Sequence, residues 1–431
     1  MDVIILTICL FLGSLLMNLP VCIVLGGFGI AAIQIFDIPP LMIVQRMITG
    51  LDMSSLAAVL FFVLGGEIMS SGGITARLST VLILLLRRIR GGLAYVTVLV
   101  NLLMAGVSGS ATADAAATGS VMIPMLKRGG YPPSFSSALV AASATMGPLI
   151  PPSILFIIIG SMCNVSILDL FLGGALPGIL IALALLILSY ISCRRGKFGL
   201  VTQDLSSNKK SGEMSLRVII EFVLALVMPV IILGGMRFGL FTPTEAGAVL
   251  VFYSFGLSFF VYRELRIRDL PGILVNASLM TANILVIVGV ASIIGYVVAR
   301  TEIIASIAEH VSVAVESKVQ FLMVVNVFLL ILGCLMEITA IAIVIAPILI
   351  PLAASYGIDP VVIGVVMVFN LMIGLITPPV GMNMYITVAI ARTPITSFGR
   401  AVMPFLIAMV ICLVITTYVP GFVLLLPNVF R

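Results

Sequence analysis

"GPLIPPSILF", residues Gly147–Phe156, and "GLITPPVGMN", residues Gly374–Asn383, decide how this chain folds. Each places a Pro-Pro pair a few residues after a glycine, inside an otherwise apolar run. Proline within a helix lacks an N–H donor and clashes with the carbonyl four residues back, costing about 3 kcal/mol. In lipid, the backbone groups freed by such a break find no water. A single break of this kind reads as a packing kink, which membrane helices often carry. Two, spaced 227 positions apart, mark a repeated device.

The register extends outward from the prolines. At the same offset Gly106 falls on Gly333, Thr112 on Thr339, Pro124 on Pro351, Gly130 on Gly357 and Pro177 on Pro404. Upstream, a small gap changes the offset to 223, pairing Gly66, Gly72 and Arg77 with Gly289, Gly295 and Arg300. Superposed glycines and prolines are backbone signals, which chance alignment of apolar residues does not produce. The chain therefore reads as two structural repeats, 1–192 and 218–431, joined by a polar, basic cytoplasmic loop over 193–217.

Composition fixes the class. Of 431 residues 61% are hydrophobic and only 9% charged, against roughly 25% charged in soluble domains. Many runs exceed the roughly 20 apolar residues that cross a bilayer. The expected fold is an all-α polytopic membrane protein seated in the lipid bilayer. A net charge of +5 implies no nucleic-acid partner, because the basic residues fall in short loops where orientation rules place them. Cys9, Cys22, Cys163, Cys193, Cys334 and Cys412 lack metal-ligand spacing and read as small core residues. His310 is the only histidine, and there is no Walker A motif, so neither a histidine metal site nor ATP hydrolysis is expected.

Charge also orients the repeats. The turns of the first carry "RRIRGG" (Arg87–Gly92) and "KRGG" (Lys127–Gly130); the second has the acidic Thr301–Lys318 and the nearly neutral "SYGID" (Ser355–Asp359). Positive turns stay cytoplasmic, so the halves face opposite ways. Five crossings between Gly130 and Ser355 agree, since an odd number inverts the repeat. Inverted repeats place a transporter's binding site near the midplane, where they meet.

Each repeat also holds two short arms around a polar tip. Ala94–Val107 and Thr112–Leu126 are about 21–23 Å long at about 1.5 Å per residue. With "SGSAT" (Ser108–Thr112) between them, they read as a re-entrant hairpin near 94–128; "GCLMEIT" (Gly333–Thr339) is its counterpart near 320–355. Unwound segments expose carbonyl oxygens, hard donors suited to a small cation, and half-helix amino ends face an anionic group. Two breaks per repeat thus give two candidate cation sites flanking one substrate cavity.

"AGVSGSATADAAATGSVMIPML" (Ala105–Leu126), "GPLIPPS", "FTPTEAGAV" (Phe241–Val249), "GCLMEITAIAIVIAPILIP" (Gly333–Pro351) and "GLITPPVGMNMY" together resemble the large membrane subunit of tripartite ATP-independent periplasmic (TRAP) transporters. The resemblance covers nearly the whole chain. It implies a bacterial inner-membrane protein that takes up a carboxylated solute with sodium ions by an elevator mechanism. It also implies a small four-helix membrane subunit and a periplasmic solute-binding protein. By position, the second sodium site would use Gly333, Gly374, Thr377 and Val380: three through carbonyls, with Thr377 offering a hydroxyl as well. Pseudo-symmetry puts the first around Gly106, Ser108, Ser110, Gly147, Ile150 and Ser153, where Ile150 replaces the threonine. Glu337 stands where the family resemblance leads one to expect an aspartate.

Other residues carry two readings each. Asp114 either faces substrate or cation, or caps the hairpin tip beside Ser110 and Thr112. Ser143 and Asn370, a repeat pair, either line the cavity with Thr112 and Thr339 or bond helix to helix. Arg77 and Arg300 either attract an anion or snorkel to the interface. The rival functions are a stand-alone ion-coupled anion symporter, an ion channel and a noncatalytic assembly subunit. No enzyme is expected.

Overall fold

The computed structural model describes residues 21–86, 89–196, 198, 216–300, 315 and 317–430. Most of the basic loop 193–217, the acidic stretch after Arg300 with His310, and Cys9 lie outside these residues. The described chain is helical. The first half contains α1 (Val21–Ile35), α2 (Leu41–Leu51), α3 (Ala57–Ser71), α4 (Ile74–Leu86), α5 (Gly92–Ser108), α6 (Ala111–Arg128), α7 (Pro133–Ala144), α8 (Ile154–Cys163) and α9 (Ile167–Arg195). The second contains α10 (Leu216–Arg237), α11 (Pro243–Gly256), α12 (Leu270–Arg300), α13 (Lys318–Leu335), α14 (Ile338–Ser355), α15 (Pro360–Gly374), α16 (Met382–Ala391), α17 (Ile395–Tyr418) and α18 (Pro420–Val429). Among the described residues, eight helical segments are long and apolar enough to cross a membrane.

Element bounds repeat as the prolines do. Tip residues Gly109–Ser110 separate α5 from α6, and Met336–Glu337 separate α13 from α14. Prolines at the first helical turn open both α7 and α15, where a missing N–H costs nothing. Both helices then stop short of their Pro-Pro pair, and α8 and α16 resume beyond it. Among the described residues between the turn at Gly130 and that at Ser355, five passes precede the second hairpin: α7 with α8, α9, α10, α11 and α12. The fold is thus two inverted repeats with helical hairpins.

One expectation needs correction. The hairpin arms are longer than 14–15 residues: α5 has 17 and α6, α13 and α14 have 18 each. The sequence reading stopped the arms at polar residues, yet helix geometry runs on through buried Ser108 to a left-handed Gly109 (φ +62°). At about 27 Å such arms nearly match the hydrocarbon thickness. What makes them re-entrant is where their tips lie, against the unwound middle of α7–α8 and of α15–α16. The repeats also depart from each other at Gly295. Its partner Gly72 ends α3, and Gly73 turns the chain at φ +81° into α4; α12 instead runs unbroken through Gly295.

Packing divides the helices into two groups. α3 lies on α11 and α12, α4 on α10, and α1 and α2 on α12, forming an outer frame. Inside it the repeats exchange partners: α16 packs on α6 and α7, and α8 packs on α14. Phe135–Ala144 of α7 and Val361–Gly374 of α15 are buried throughout. A helix apolar on every side is stable only at such a centre or in lipid.

Candidate cation and solute site

The second repeat brings its break and its hairpin tip into backbone contact. A Cβ added to Gly374 would lie 2.3 Å from both the carbonyl carbon and oxygen of Gly333, so only glycine fits there. Beyond Gly374 the helix unwinds. Val380 N–H donates to the Cys334 carbonyl at 3.3 Å, stitching the far side of the break to the tip. The carbonyls of Leu375 and Thr377 converge on Gly381, reaching within 3.1 and 3.0 Å of where its Cβ would be. Thr377 Oγ1 donates to the Ile373 carbonyl at 2.8 Å and also meets the Cys334 thiol of the tip. The Leu375 carbonyl already accepts from Asn383 N–H at 3.1 Å and Met384 N–H at 3.4 Å, so the Thr377 carbonyl and hydroxyl are the neutral oxygens here that suit a small hard monovalent cation. Both Pro-Pro peptide bonds, Pro151–Pro152 and Pro378–Pro379, are cis.

Glu337 takes up both its oxygens in capping: it accepts from Thr339 N–H at 3.0 Å and from Ala340 N–H at 2.8 Å. In the first repeat Ser110 caps α6 at the equivalent place, accepting from Ala113 N–H at 3.5 Å. Ser110 Oγ also lies 3.4 Å from Thr112 Oγ1. Capping by a side-chain oxygen satisfies the orphan N–H groups of a buried helix start.

The first-repeat tip carries its carboxyl deeper in the second arm, at Asp114, where the second repeat has Ile341. Asp114 is fully buried and accepts from Ser108 Oγ at 2.6 Å. Its Oδ2 has no partner among the described residues and faces the break: a Cβ on Gly147 would sit 2.8 Å from it. Ser153 caps α8 and donates to the Pro148 carbonyl at 2.6 Å. Gly106 and Gly109 press on the break, Gly109 within 2.5 Å of the Pro152 carbonyl for an added Cβ. Ile150 points elsewhere, against Gly178 of α9.

Ser143 and Asn370 sit fully buried one to two turns before the breaks. Asn101 of α5 donates to Ser143 Oγ at 2.6 Å, and Asn370 donates to Asn326 Oδ1 of α13 at 2.8 Å. Each repeat thus ties a hairpin arm to its broken helix with one amide bond, worth about 1 kcal/mol. Arg77 lies away from the tips, paired with Glu221 at 3.3 Å and with Glu264.

Sequence reading passed over Asn383, the last residue of its own second quotation. It is fully buried, reaches Ala141 of the first repeat through Nδ2 at 3.4 Å, and its Oδ1 lacks a partner among the described residues. Its repeat position holds Phe156, so symmetry gave no signal. A polar residue in the first turn after a break was the available one.

Two opposed hairpin tips, each docked on a Pro-Pro break, describe a membrane transporter core rather than an enzyme. The sequence profile of the tripartite ATP-independent periplasmic transporter DctM component matches residues 8–422. The chain belongs to this family. The C4-dicarboxylate TRAP transporter large permease protein DctM of Pseudomonas aeruginosa is 39% identical over 87% of this chain and 86% of its own length. The sialic acid TRAP transporter large permease protein SiaM of Vibrio cholerae is 38% identical, covering 90% and 89%. In fold, the chain is similar to the YdaH transporter of Alcanivorax borkumensis, with a TM-score of 0.64 at 16% identity over 87% of each chain. As a TRAP large permease, the chain is a multi-pass protein of the bacterial inner membrane that moves a solute without transforming it.

Proposed function

We propose that this TRAP permease drives sodium-coupled uptake of a carboxylated small solute that a periplasmic binding protein delivers, with a small four-helix membrane subunit as its second partner. The observation that carries the reading is the Gly333–Gly374 contact. Backbone approaches backbone there, beside an unwound stretch whose carbonyls converge. Gly333, Gly374, Thr377 and Val380 would hold one sodium ion; Gly106, Ser108, Ser110, Gly147 and Ser153, with the Ile150 backbone, the other. Sodium supplies positive charge beside the cavity and stores the energy of its gradient. Two relatives named for C4-dicarboxylates and for sialic acid support a carboxylated cargo.

The chain's own groups then position the cargo. Thr112, Thr339, Ser143, Asn370 and Asp114 are its candidate polar contacts; an elevator movement of the inner helices against the frame would carry it across. Reconstitution in proteoliposomes tests this. With both partners and an inward sodium gradient, labelled dicarboxylate or sialic acid accumulates; in choline or potassium it does not. Full uptake by the chain alone would support the stand-alone symporter instead, and uptake indifferent to sodium would refute the coupling.

A further inference from the structure

The two candidate cation sites share a backbone plan but not an environment. Ser153, after the first Pro-Pro pair, is 0% exposed, whereas its repeat partner Val380 is 39% exposed. Pro151 and Pro152 are buried; Pro378 and Pro379 are exposed. Something covers the first site and leaves the second open.

The hairpin tip covers the break, and atoms of the frame back that tip. A Cβ on Gly106 would lie 3.1 Å from Pro229 Cγ of α10, so the ring rests on the hairpin backbone just before the tip. On the other side, a Cβ on Gly66 of α3 would lie 3.4 Å from the Ser108 carbonyl oxygen and 3.5 Å from its Cα. Both frame residues thus bear on the backbone of candidate sodium ligands. In turn the tip closes over the break, Gly109 against Pro152, Ser153 and Ile154. At the second site, the atoms nearest Gly333 come from its own partner helix, Leu371 and Gly374 of α15.

We propose that Gly66 and Pro229 are positioning residues: they form a frame-side seat that holds the first cation site shut in this conformation, so that sodium exchanges first at the second site. The seat deepens the sodium reading above and rests on it for the identity of the ion. Its consequence is an order of release. The second sodium leaves from the exposed break, and the first is freed only once the hairpin tip parts from α3 and α10. A tip pressed between backbone and a proline ring tolerates no partial opening, because close-packed contacts shift between discrete arrangements.

Single-cysteine variants Ser153→Cys and Val380→Cys, in a chain otherwise stripped of its native cysteines and held in nanodiscs, report the two sites separately. Without sodium, a water-soluble maleimide should modify Ser153→Cys at least about tenfold more slowly than Val380→Cys. Adding Pro229→Ala, which removes Cγ while keeping a good helix former, should speed Ser153→Cys about tenfold and leave Val380→Cys unchanged. Gly66→Leu, which wedges the tip from the other side, should do the same. Equal rates in the parent pair would overturn the proposal. So would protection of Ser153→Cys in both frame variants, or acceleration of both cysteines together in both. The ion is read apart from the seat: sodium, but not potassium, should slow Val380→Cys. If it does not while the tenfold difference stands, the sodium reading fails and the seat remains.

Discussion

At the scale of single residues, the two breaks carry their hydroxyl at different places: Thr377 precedes the second Pro-Pro pair, whereas Ser153 follows the first. Thr377 carries a hydroxyl, bonded to the Ile373 carbonyl and beside the Cys334 thiol; Ile150 turns its side chain to Gly178. Losing one neutral ligand contact of about 1 kcal/mol corresponds to a roughly five-fold change in half-saturation. Thr377→Val should therefore raise the sodium concentration for half-maximal uptake about five-fold, measured at matched membrane abundance. Ile150→Val removes one methylene at a packed contact, costing about 0.5–1.5 kcal/mol of stability, and should leave the sodium curve in place. An unaltered curve in Thr377→Val would confine that ligand to its carbonyl. Residues of this kind were legible because proline and glycine announce a broken backbone whatever surrounds them. Asn383, Gly66 and Pro229 were not: their roles come from contacts with Ala141, Ser108 and Gly106, between residues far apart in the chain.

Among elements, the hairpins and broken helices were readable as pairs, while their lengths and limits were not. Repeat register located both tips and both breaks to within a residue or two, since each is punctuated by glycine, serine or proline. Arm length depended on burial, which let α5 continue through Ser108. Gly295 pairs with Gly72 in the repeat register, yet Gly72 ends a helix while α12 continues through Gly295, as its apolar run leads one to expect. The docking of tip on break also predicts how the elements respond to one added methyl group. Gly374→Ala would drive a Cβ into the Gly333 backbone, and overpacking of this kind costs about 1–3 kcal/mol. Because the clash falls on two fixed backbones, the tip must withdraw, so sodium-driven uptake should fall far more than abundance does. Gly399→Ala in α17, where an added Cβ meets open space, should transport normally and gain about 0.5–1 kcal/mol from helix propensity. Equal uptake in the two variants would show that the close approach is dispensable.

In the whole molecule, inversion is what turns two modest backbone defects into one site. Each repeat alone would bury a break with nothing opposite it. Exchange of α8 onto α14 and of α16 onto α6 and α7 sets the helix after each break against the other repeat. That arrangement was legible from loop charge and an odd number of crossings; the frame's unequal grip on the two tips was not, because both repeats carry the same glycines there. The account's central claim is that these breaks bind sodium, and direct binding to the purified chain tests it without partners, gradient or cargo. A ligand that binds only the folded state adds about 2.7 kcal/mol of stability at a hundredfold excess over its dissociation constant. Thermal unfolding of the purified full chain, followed in detergent across a sodium titration at constant ionic strength, should shift upward in a saturable way. Potassium should give no shift, and Gly374→Ala should lose much of the sodium effect. Coincident unfolding curves in sodium and potassium would contradict the account.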